Sequence, residues 1–597
     1  MDRKGIIALV VAFAGLLGLQ WAANKIYPPI PVTATNTVAA ATNRLVAGVT
    51  NPAAASIPNL GPTPQPPPTL LTAAEETRTL ENDSIRVQVT SRGGGIQFVE
   101  LKDYPARIPL NRKEKGRPNE LASLNKSSFL PAFTYANAPA LTEDGYFSLR
   151  VATNGIFAEK SLTNGLKLVR QFSIASNYIV HVSERIENAS GRPVTVPAQE
   201  LVVGTAAPMD PHEKADAVGV YWFNGESTTH VDTMWFANKT LGCIPGTPRT
   251  EYADGLTNVV WAAVHNRFFT LVALPEKPAD KVVARHYNLP APTPSQLAAD
   301  GKLNPTPEAY QTALFYSEAV LAPAAAIERR FSVYAGPKEY FGLSKLPSRI
   351  ELVMDFTGIT GFFAQALLLA LNLVHMVIPG YGWAIVALTV FIKLIFWPLT
   401  GISTRSMKKM QALQPELQAL KERYKDNQQQ FAQKQLELFK KNGVNPASGC
   451  LPMLVQFPVF IGFFFMLRTA IELRGETFLW VNDLSQPDTI FTIPGLGFIP
   501  FFGVAGVGLP INLLPLLMCA TSLWMSSLTP VSPQMDPAQQ KMMKFMPVFF
   551  VVFLYDYSSG LTLYWTVQNL LSVLQTKLTK MNEAKEIKTA APMAKRR

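Results

Sequence analysis

The chain has 597 residues, enough for several domains, with 48% hydrophobic but only 16% charged residues. Its formal net charge is +11. The basic residues stand beside hydrophobic runs, which fits orientation in a membrane and argues against nucleic-acid sequence recognition. Cys243, Cys450 and Cys519 lie far apart without C-x-x-C spacing, which argues against a disulfide framework or a zinc site.

Asp2-Arg3-Lys4 precede an apolar run, Gly5–Ala22. Cleavage after Ala22 or Ala23 would put Gln20 or Trp21 at the −3 position, so residues 1–23 read as an uncleaved anchor with a cytoplasmic N-terminus. Residues 24–77 are rich in Pro, Ala and Thr and read as a tether that buries little. From about 78 to 335 the pattern turns to short β-like runs, among them Ile85/Val87/Val89, Leu166–Ile174, Tyr178–Ile186, Val259–Val264, Phe268–Ala273 and Ile327–Tyr334. Pro, Gly and Asn separate them, as in a large sandwich outside the cytoplasm. The six histidines show no ligand spacing, and no nucleophile motif or paired-acid signature stands out. The chain reads as neither an enzyme nor a metal or cofactor carrier.

Residues 355–380 are apolar with Gln365, Asn372 and His375 interspersed, and Pro379-Gly380 ends them. They read as an interfacial helix on the outer leaflet, with a further span as the alternative. The stretch 381–400 follows, bracketed by Trp383 and Trp397. It carries one full charge, Lys393, with Thr389 one helical turn before it. A charge at membrane depth costs about 2.5–3.5 kcal/mol on the insertion scale. Two arrangements offset that cost: the lysine stem reaches a nearby interface, or the ammonium lines a hydrated cavity.

Residues 401–450 are rich in Lys and Arg, Lys408 and Lys409 among them, and mark the cytoplasmic side. Met407, Met410, Leu413, Leu417, Leu420 and Tyr424 recur at helical spacing. Pro415 starts or kinks a helix, a second helix runs to Asn442, and Gly443 stands at its C-cap. The Met/Leu stripe of this hairpin serves packing or offers an adaptable surface to passing apolar segments. Leu451–Ile471 crosses outward. The Pro/Gly/Phe-rich piece Ile493–Pro510 is assigned to re-entrant or interfacial structure, ahead of a span at about 506–528. Phe545–Tyr557 and Leu561–Gln575 form a last hairpin of spans, and residues 581–597 are a basic tail. The expected fold is therefore an α-helical polytopic membrane protein of six spans, both termini cytoplasmic, with an all-β sandwich inserted after the first span. Thr389, Gln456, Asn512, Thr562, Thr566, Gln568 and Asn569 add neutral polar groups to the spans. They act as interhelical glue or gather around Lys393 as a polar groove. No carboxylate relay and no inverted repeat point to a pump. A solute or ion transporter using Lys393 is the alternative, and an envelope enzyme in the β-domain a third reading.

Several blocks then carry a resemblance. Thr389-x-x-x-Lys393, Pro398-x-Thr400, Asn445-Pro446, Gly449-Cys450-x-Pro452, Gln456-x-Pro458, Met535-Asp536-Pro537, Gln540-Lys541-Met542 and Ser559-Gly560-x-x-x-Tyr564 are similar to those of the bacterial YidC insertase family over about 355–580. Arg92-Gly93-Gly94 and Tyr334-x-Gly336-Pro337 resemble the two ends of the large periplasmic domain of its Gram-negative members. The resemblance implies a β-supersandwich over 78–340, five core helices after the anchor, and an inner-membrane insertase core over 381–580. Its clients would be nascent membrane proteins, its surroundings the lipid bilayer, and its partners the Sec translocon and the ribosome. It implies a substrate groove at Lys393, Thr389, Gln456, Phe457, Phe460, Tyr564 and Trp565, and a hairpin contact at Met407, Lys408, Lys409 and Met410. Lys393 departs from the family's Arg, and Trp565 stands where a second Tyr is frequent. The charge survives the first change but the bidentate fork does not.

Overall fold

A computed structural model describes residues 75–590, except 109–119, 210–216, 239–245, 294, 296–303, 305–306, 357, 426, 445–450, 500–501, 504–507 and 529–536. Side chains at 402, 404, 407–408, 451–455, 537–540, 543, 580 and 582–590 are likewise outside the description. The anchor at 1–23, nearly all of the tether and the last residues of the tail therefore fall beyond it.

Strand alternation builds the first domain. Leu166–Ser176 buries Leu166, Leu168, Arg170 and Phe172, and Ile179–Asn188 buries Val180, Val182, Glu184, Ile186 and Asn188, so each sends every second side chain inward. They pair antiparallel near the middle of a nine-stranded sheet. Its spatial order is Thr228–Asp232, Gly219–Phe223, Trp261–His265, Phe269–Pro275, Ala326–Pro337, Ile179–Asn188, Leu166–Ser176, Gly155–Ser161 and Ser148–Ala152. A four-stranded sheet (Gln199–Ala206, Glu308–Tyr316, Lys281–Asn288, Glu251–Asp254) covers one half of one face. A meander (Thr77–Glu81, Ile85–Thr90, Gly95–Pro105, Leu121–Leu124) covers the other half. This is the expected sandwich, and the β-like runs of the sequence fall on its strands within a few residues.

Two strands depart from simple alternation. Gly219–Phe223 and Trp261–His265 are buried at every position. Val220, Trp222, Ala262 and Val264 face the sandwich core, while Tyr221, Phe223, Trp261 and Ala263 join a second core made with the helical region. The outer face of the sheet thus sits on the helices, and both of its sides are dry there. Arg267 and Arg474 tie the two parts across the seam. Arg267 donates to the carbonyls of Arg468 and Ser485, both at 2.9 Å, and Arg474 to those of Pro105 and Ala106 at 2.8 and 3.0 Å.

A histidine pair lies near this seam. The Nε2 atoms of His230 and His265 are 3.1 Å apart, and Tyr221 stacks on His230 at 4.2 Å between centroids. Burial lowers the pKa of His230 to about 4, with Lys338 and Arg468 adding to it and Asp232 opposing. Burial, Lys338 and His230 also hold His265 well below the ordinary imidazole range. Both are neutral in the fold yet protonate near pH 6.5 when unfolded. Their contribution is complete above that pH and is lost as pH falls from 6.5 toward 4. The melting temperature of the full chain in detergent is expected to drop over that window, and His230→Gln should flatten the drop.

The helical region comprises α1 (Gly358–Val377), α2 (Tyr381–Ala412), α3 (Gln414–Arg423), α4 (Gln428–Lys441), α5 (Leu451–Thr469), α6 (Leu513–Leu528), α7 (Pro537–Leu554) and α8 (Ser559–Ala590). Among the described residues two stretches, Gly358–Val377 and Tyr381–Gly401, are long and apolar enough to cross a membrane. Gln456–Thr469, Leu513–Leu528 and Lys544–Leu554 are shorter apolar helices. Sixteen residues of helix span about 24 Å, against roughly 30 Å of hydrocarbon, so length and composition alone do not reach six spans. The span expected from 506 begins only at Leu513. Leu509–Asn512 pairs with Thr489–Ile493 as a hairpin, and Asp488 accepts from the Leu514 amide at 2.7 Å, where the helix starts.

Helix α1, expected at the interface, packs along α5 and α2, burying Phe363, Ala364, Leu367, Leu368 and Leu371. Gly462 on α5 makes that approach close. A Cβ there would lie 2.6 Å from Phe363 Cβ and 3.0 Å from its backbone carbon. Gly462→Val is expected to push the two helices apart at a cost of about 1–3 kcal/mol, read as a lower melting temperature in detergent. In the hairpin, the first helix breaks at Leu413 and Pro415 opens α3. Asn427 caps α4 by accepting from the Gln430 amide, and Gly443 ends it at φ +62°.

Candidate functional site

Helices α2 and α8 run against each other and position the polar groups between them. Hydroxyls in such helices are satisfied by the carbonyl one turn back, so they cost little in an apolar setting. Thr389 donates to the Ile385 carbonyl at 2.6 Å, and Thr566 to that of Thr562 at 2.7 Å. Lys393 has no such local partner. Its Nζ crosses to α8 and donates to Ser572 Oγ at 2.7 Å, and the Ser572 hydroxyl in turn donates a hydrogen bond to the Gln568 carbonyl at 2.8 Å. The lysine is 5% exposed, and among the described residues no carboxylate forms a salt bridge with it. Its stem is thus drawn into the helix interface instead of toward solvent. One turn beyond Ser572, Gln575 Nε2 donates to Thr400 Oγ1 at 2.6 Å and to the Trp397 carbonyl at 3.1 Å.

Helix α5 contacts both α2 and α8 and adds an aromatic wall. Phe463 stacks on Tyr564, centroids 4.1 Å apart and planes 19° from parallel, and Gln456 lies near the Tyr564 hydroxyl. Phe460 meets Trp565 edge-on at 4.7 Å, and Phe550 of α7 lies 5.3 Å from the same indole. Trp565 therefore takes a place in the wall through ring contacts that need no hydroxyl. Phe457, by contrast, is 57% exposed.

The residues singled out in the sequence thus fall into three groups. Lys393 and Thr389 share α2, and Gln456, Phe460, Tyr564 and Trp565 meet between α5 and α8. Met410 belongs elsewhere: with Leu413, Leu417, Phe439 and Val444 it forms a small core inside the hairpin, so this part of the Met/Leu stripe is packing. Lys409 is exposed beside it, while the side chains of Met407 and Lys408 lie outside the described residues. Sequence reasoning missed Ser572 and Gln575, the direct partners of α2. Their signal was the polar stripe Thr562, Thr566, Asn569, Ser572, Gln575, spaced by three and four residues along one helix face.

The family model described as the YidC periplasmic domain matches residues 77–370, and that of the 60Kd inner membrane protein matches 373–586. A membrane protein insertase YidC of Pseudomonas fluorescens strain SBW25 is 30% identical over 99% of this chain and 100% of its own length. That of Syntrophus aciditrophicus is 28% identical over 97% and 98%. Among solved structures, an active YidC insertase with its first transmembrane domain resolved aligns over 85% of this chain and 93% of its own. The identity there is 17% and the TM-score 0.33.

Proposed function

The chain belongs to the YidC family of membrane protein insertases, and from that premise we propose how it handles its clients. It is an inner-membrane insertase with a periplasmic domain, not an enzyme: it moves apolar segments of nascent proteins into the bilayer and makes or breaks no bond in them. In our reading the client's hydrophilic flank passes along the face between α2 and α8. An ammonium has three donors and no acceptor, and Ser572 takes one from Lys393. The others meet a carboxylate or a backbone carbonyl of the client, whose transfer into hydrocarbon is otherwise costly. The client's apolar helix slides against Phe457, Phe460, Tyr564 and Trp565. Helices α6 and α7 are short for a bilayer and thin it locally, which lowers the barrier further.

In this arrangement six spans place both termini and the hairpin α3–α4 in the cytoplasm. Helix α1 lies along the outer leaflet, and the Sec translocon and the ribosome are partners, the latter through Lys408, Lys409 and the basic tail. The observation that carries the reading is the buried Lys393, hydrogen-bonded to Ser572 and without an acidic partner among the described residues. Photo-crosslinking from probes at Thr389, Phe460 and Trp565 to a ribosome-stalled single-span client tests it. Adducts from all three place the client in the groove. Their absence in vesicle-inserted protein, together with ion or solute flux that depends on Lys393, would replace the reading with a transporter.

A further inference from the structure

Where the β-domain hands the chain over to α1, the chain lines an open cavity of about 340 Å³. Its lining joins opposite charges to aromatic rings: Arg349, Glu351, Tyr340, Phe356, Phe362 and Gln365. Tyr340 and Phe356 stand 5.9 Å apart, inclined at 40°, and Gln365 Nε2 donates to the Phe356 carbonyl at 3.0 Å, fastening α1 to the cavity. Arg349 and Glu351 feel each other's charge, but among the described residues no salt bridge joins them.

The backbone here is held in an unusual state. Ser348 (φ 62°, ψ 26°) and Arg349 (φ 57°, ψ 43°) are consecutive left-handed residues, and neither is glycine. Side-chain-bearing residues resist this conformation, and such strain gathers at ligand sites. The indole of Trp261, fully buried under the sheet, fixes it by donating to the Ser348 carbonyl at 2.9 Å. The fold therefore maintains a costly turn at the residue that brings a guanidinium to the cavity. The site lies within the stretch matched by the periplasmic-domain model, beside the start of the apolar helix α1, which the membrane placement proposed above sets along the outer leaflet.

We propose that this cavity binds a phosphoethanolamine group carried by an outer-leaflet lipid, its phosphate on Arg349 and its ammonium at Glu351 against the rings of Tyr340 and Phe356. Guanidinium suits phosphate through its fork of donors. Carboxylate and π faces together suit an ammonium. A volume of this size holds a headgroup, leaving the acyl chains along α1. The proposal needs the membrane placement of the chain but not the client groove at Lys393, so either can fail alone.

The test uses full-length protein in nanodiscs containing phosphatidylethanolamine and phosphatidylglycerol in equal amounts, with retained lipid counted by native mass spectrometry after detergent exchange. One phosphatidylethanolamine per chain is expected. Arg349→Gly should lower its retention by about tenfold while raising the melting temperature, because glycine adopts the left-handed turn freely. Glu351→Gln should erase the preference over phosphatidylglycerol. Equal retention of the two lipids by the wild type, or unchanged retention in an Arg349→Gly protein of raised melting temperature, would overturn the site. Complete displacement by free phosphoethanolamine would overturn the lipid as its source.

Discussion

Lys393→Ala is expected to stabilise the folded protein slightly and to impair insertion of clients with acidic flanks. The stability change follows from desolvation: a lone buried ammonium is costly, and its removal strands no donor, since Ser572 still donates to the Gln568 carbonyl. The functional loss follows from Coulomb's law. A carboxylate about 4 Å from the ammonium gains about 4 kcal/mol at an effective dielectric of 20, which is the scale of its cost at the bilayer centre. Part of that gain is spent on desolvation, so insertion should fall by roughly ten- to a hundredfold, or about 1.4–2.8 kcal/mol. Clients with neutral flanks should change by less than about threefold, and Lys393→Arg should preserve most activity, since it keeps the charge. Insertion of one client series with graded flank charge into proteoliposomes measures all three. Equal losses for acidic and neutral clients would show that the ammonium shapes the helix interface without attracting the passing chain.

Glu184→Ala is expected to have the largest effect on stability. Glu184 and Arg170 face each other across paired strands with side chains 1% and 0% exposed, Arg170 Nε to Glu184 Oε1 at 2.9 Å. Arg329 reaches the other oxygen at 3.1 Å, the Tyr135 hydroxyl donates at 2.5 Å, and Arg170 Nη1 donates to the Gly93 carbonyl at 2.7 Å. One carboxylate thus ties together three strands of the large sheet, and its partner Arg170 carries the link on to the glycine turn of the meander. Removing it leaves a fully buried guanidinium without its counter-charge, at about 3–5 kcal/mol. For a β-domain of this size that lowers the melting temperature by roughly 10 °C. Burial pushes the Glu184 pKa up, but Arg170 and Arg329 outweigh it and hold it below the ordinary carboxylate range. Its contribution is therefore present above about pH 4.5 and lost as pH falls through the lowered value. Glu184→Ala should remove that acid limb while leaving the histidine limb between pH 6.5 and 4 in place. Scanning calorimetry of the full chain across pH separates the two.

Much of this architecture was legible in the residues. Period-two runs marked the strands because each strand of a sandwich has one dry face, and Leu166–Ser176 shows that signal cleanly. Gly443 marked a helix end because the turn there is left-handed. The glycines of the resemblance motifs have a visible cause as well. A Cβ at Gly94 would lie 2.5 Å from the Phe147 ring, and one at Gly336 would lie 2.7 Å from that of Tyr178. Other features were not legible. Trp261–His265 gave no hint that its second face meets the helices, since a short apolar run reads alike in either setting. The start of α6 at Leu513 was not legible either, because the hairpin of Thr489–Ile493 with Leu509–Asn512 that delays it depends on pairing between separated segments.

By itself the sequence determined the β-domain, the helical core, the basic hairpin and the single lysine in an apolar stretch, because each is a pattern of composition or period along one segment. The tertiary structure alone decided that Lys393 turns to Ser572, that Phe463 stacks on Tyr564, that His230 meets His265, and that Arg170, Glu184 and Gly93 share one network. Those partners lie 14 to 179 positions apart. A hydrogen bond or ring contact at such separation leaves no period in the chain. It exists only once the burial of apolar faces has brought the segments together.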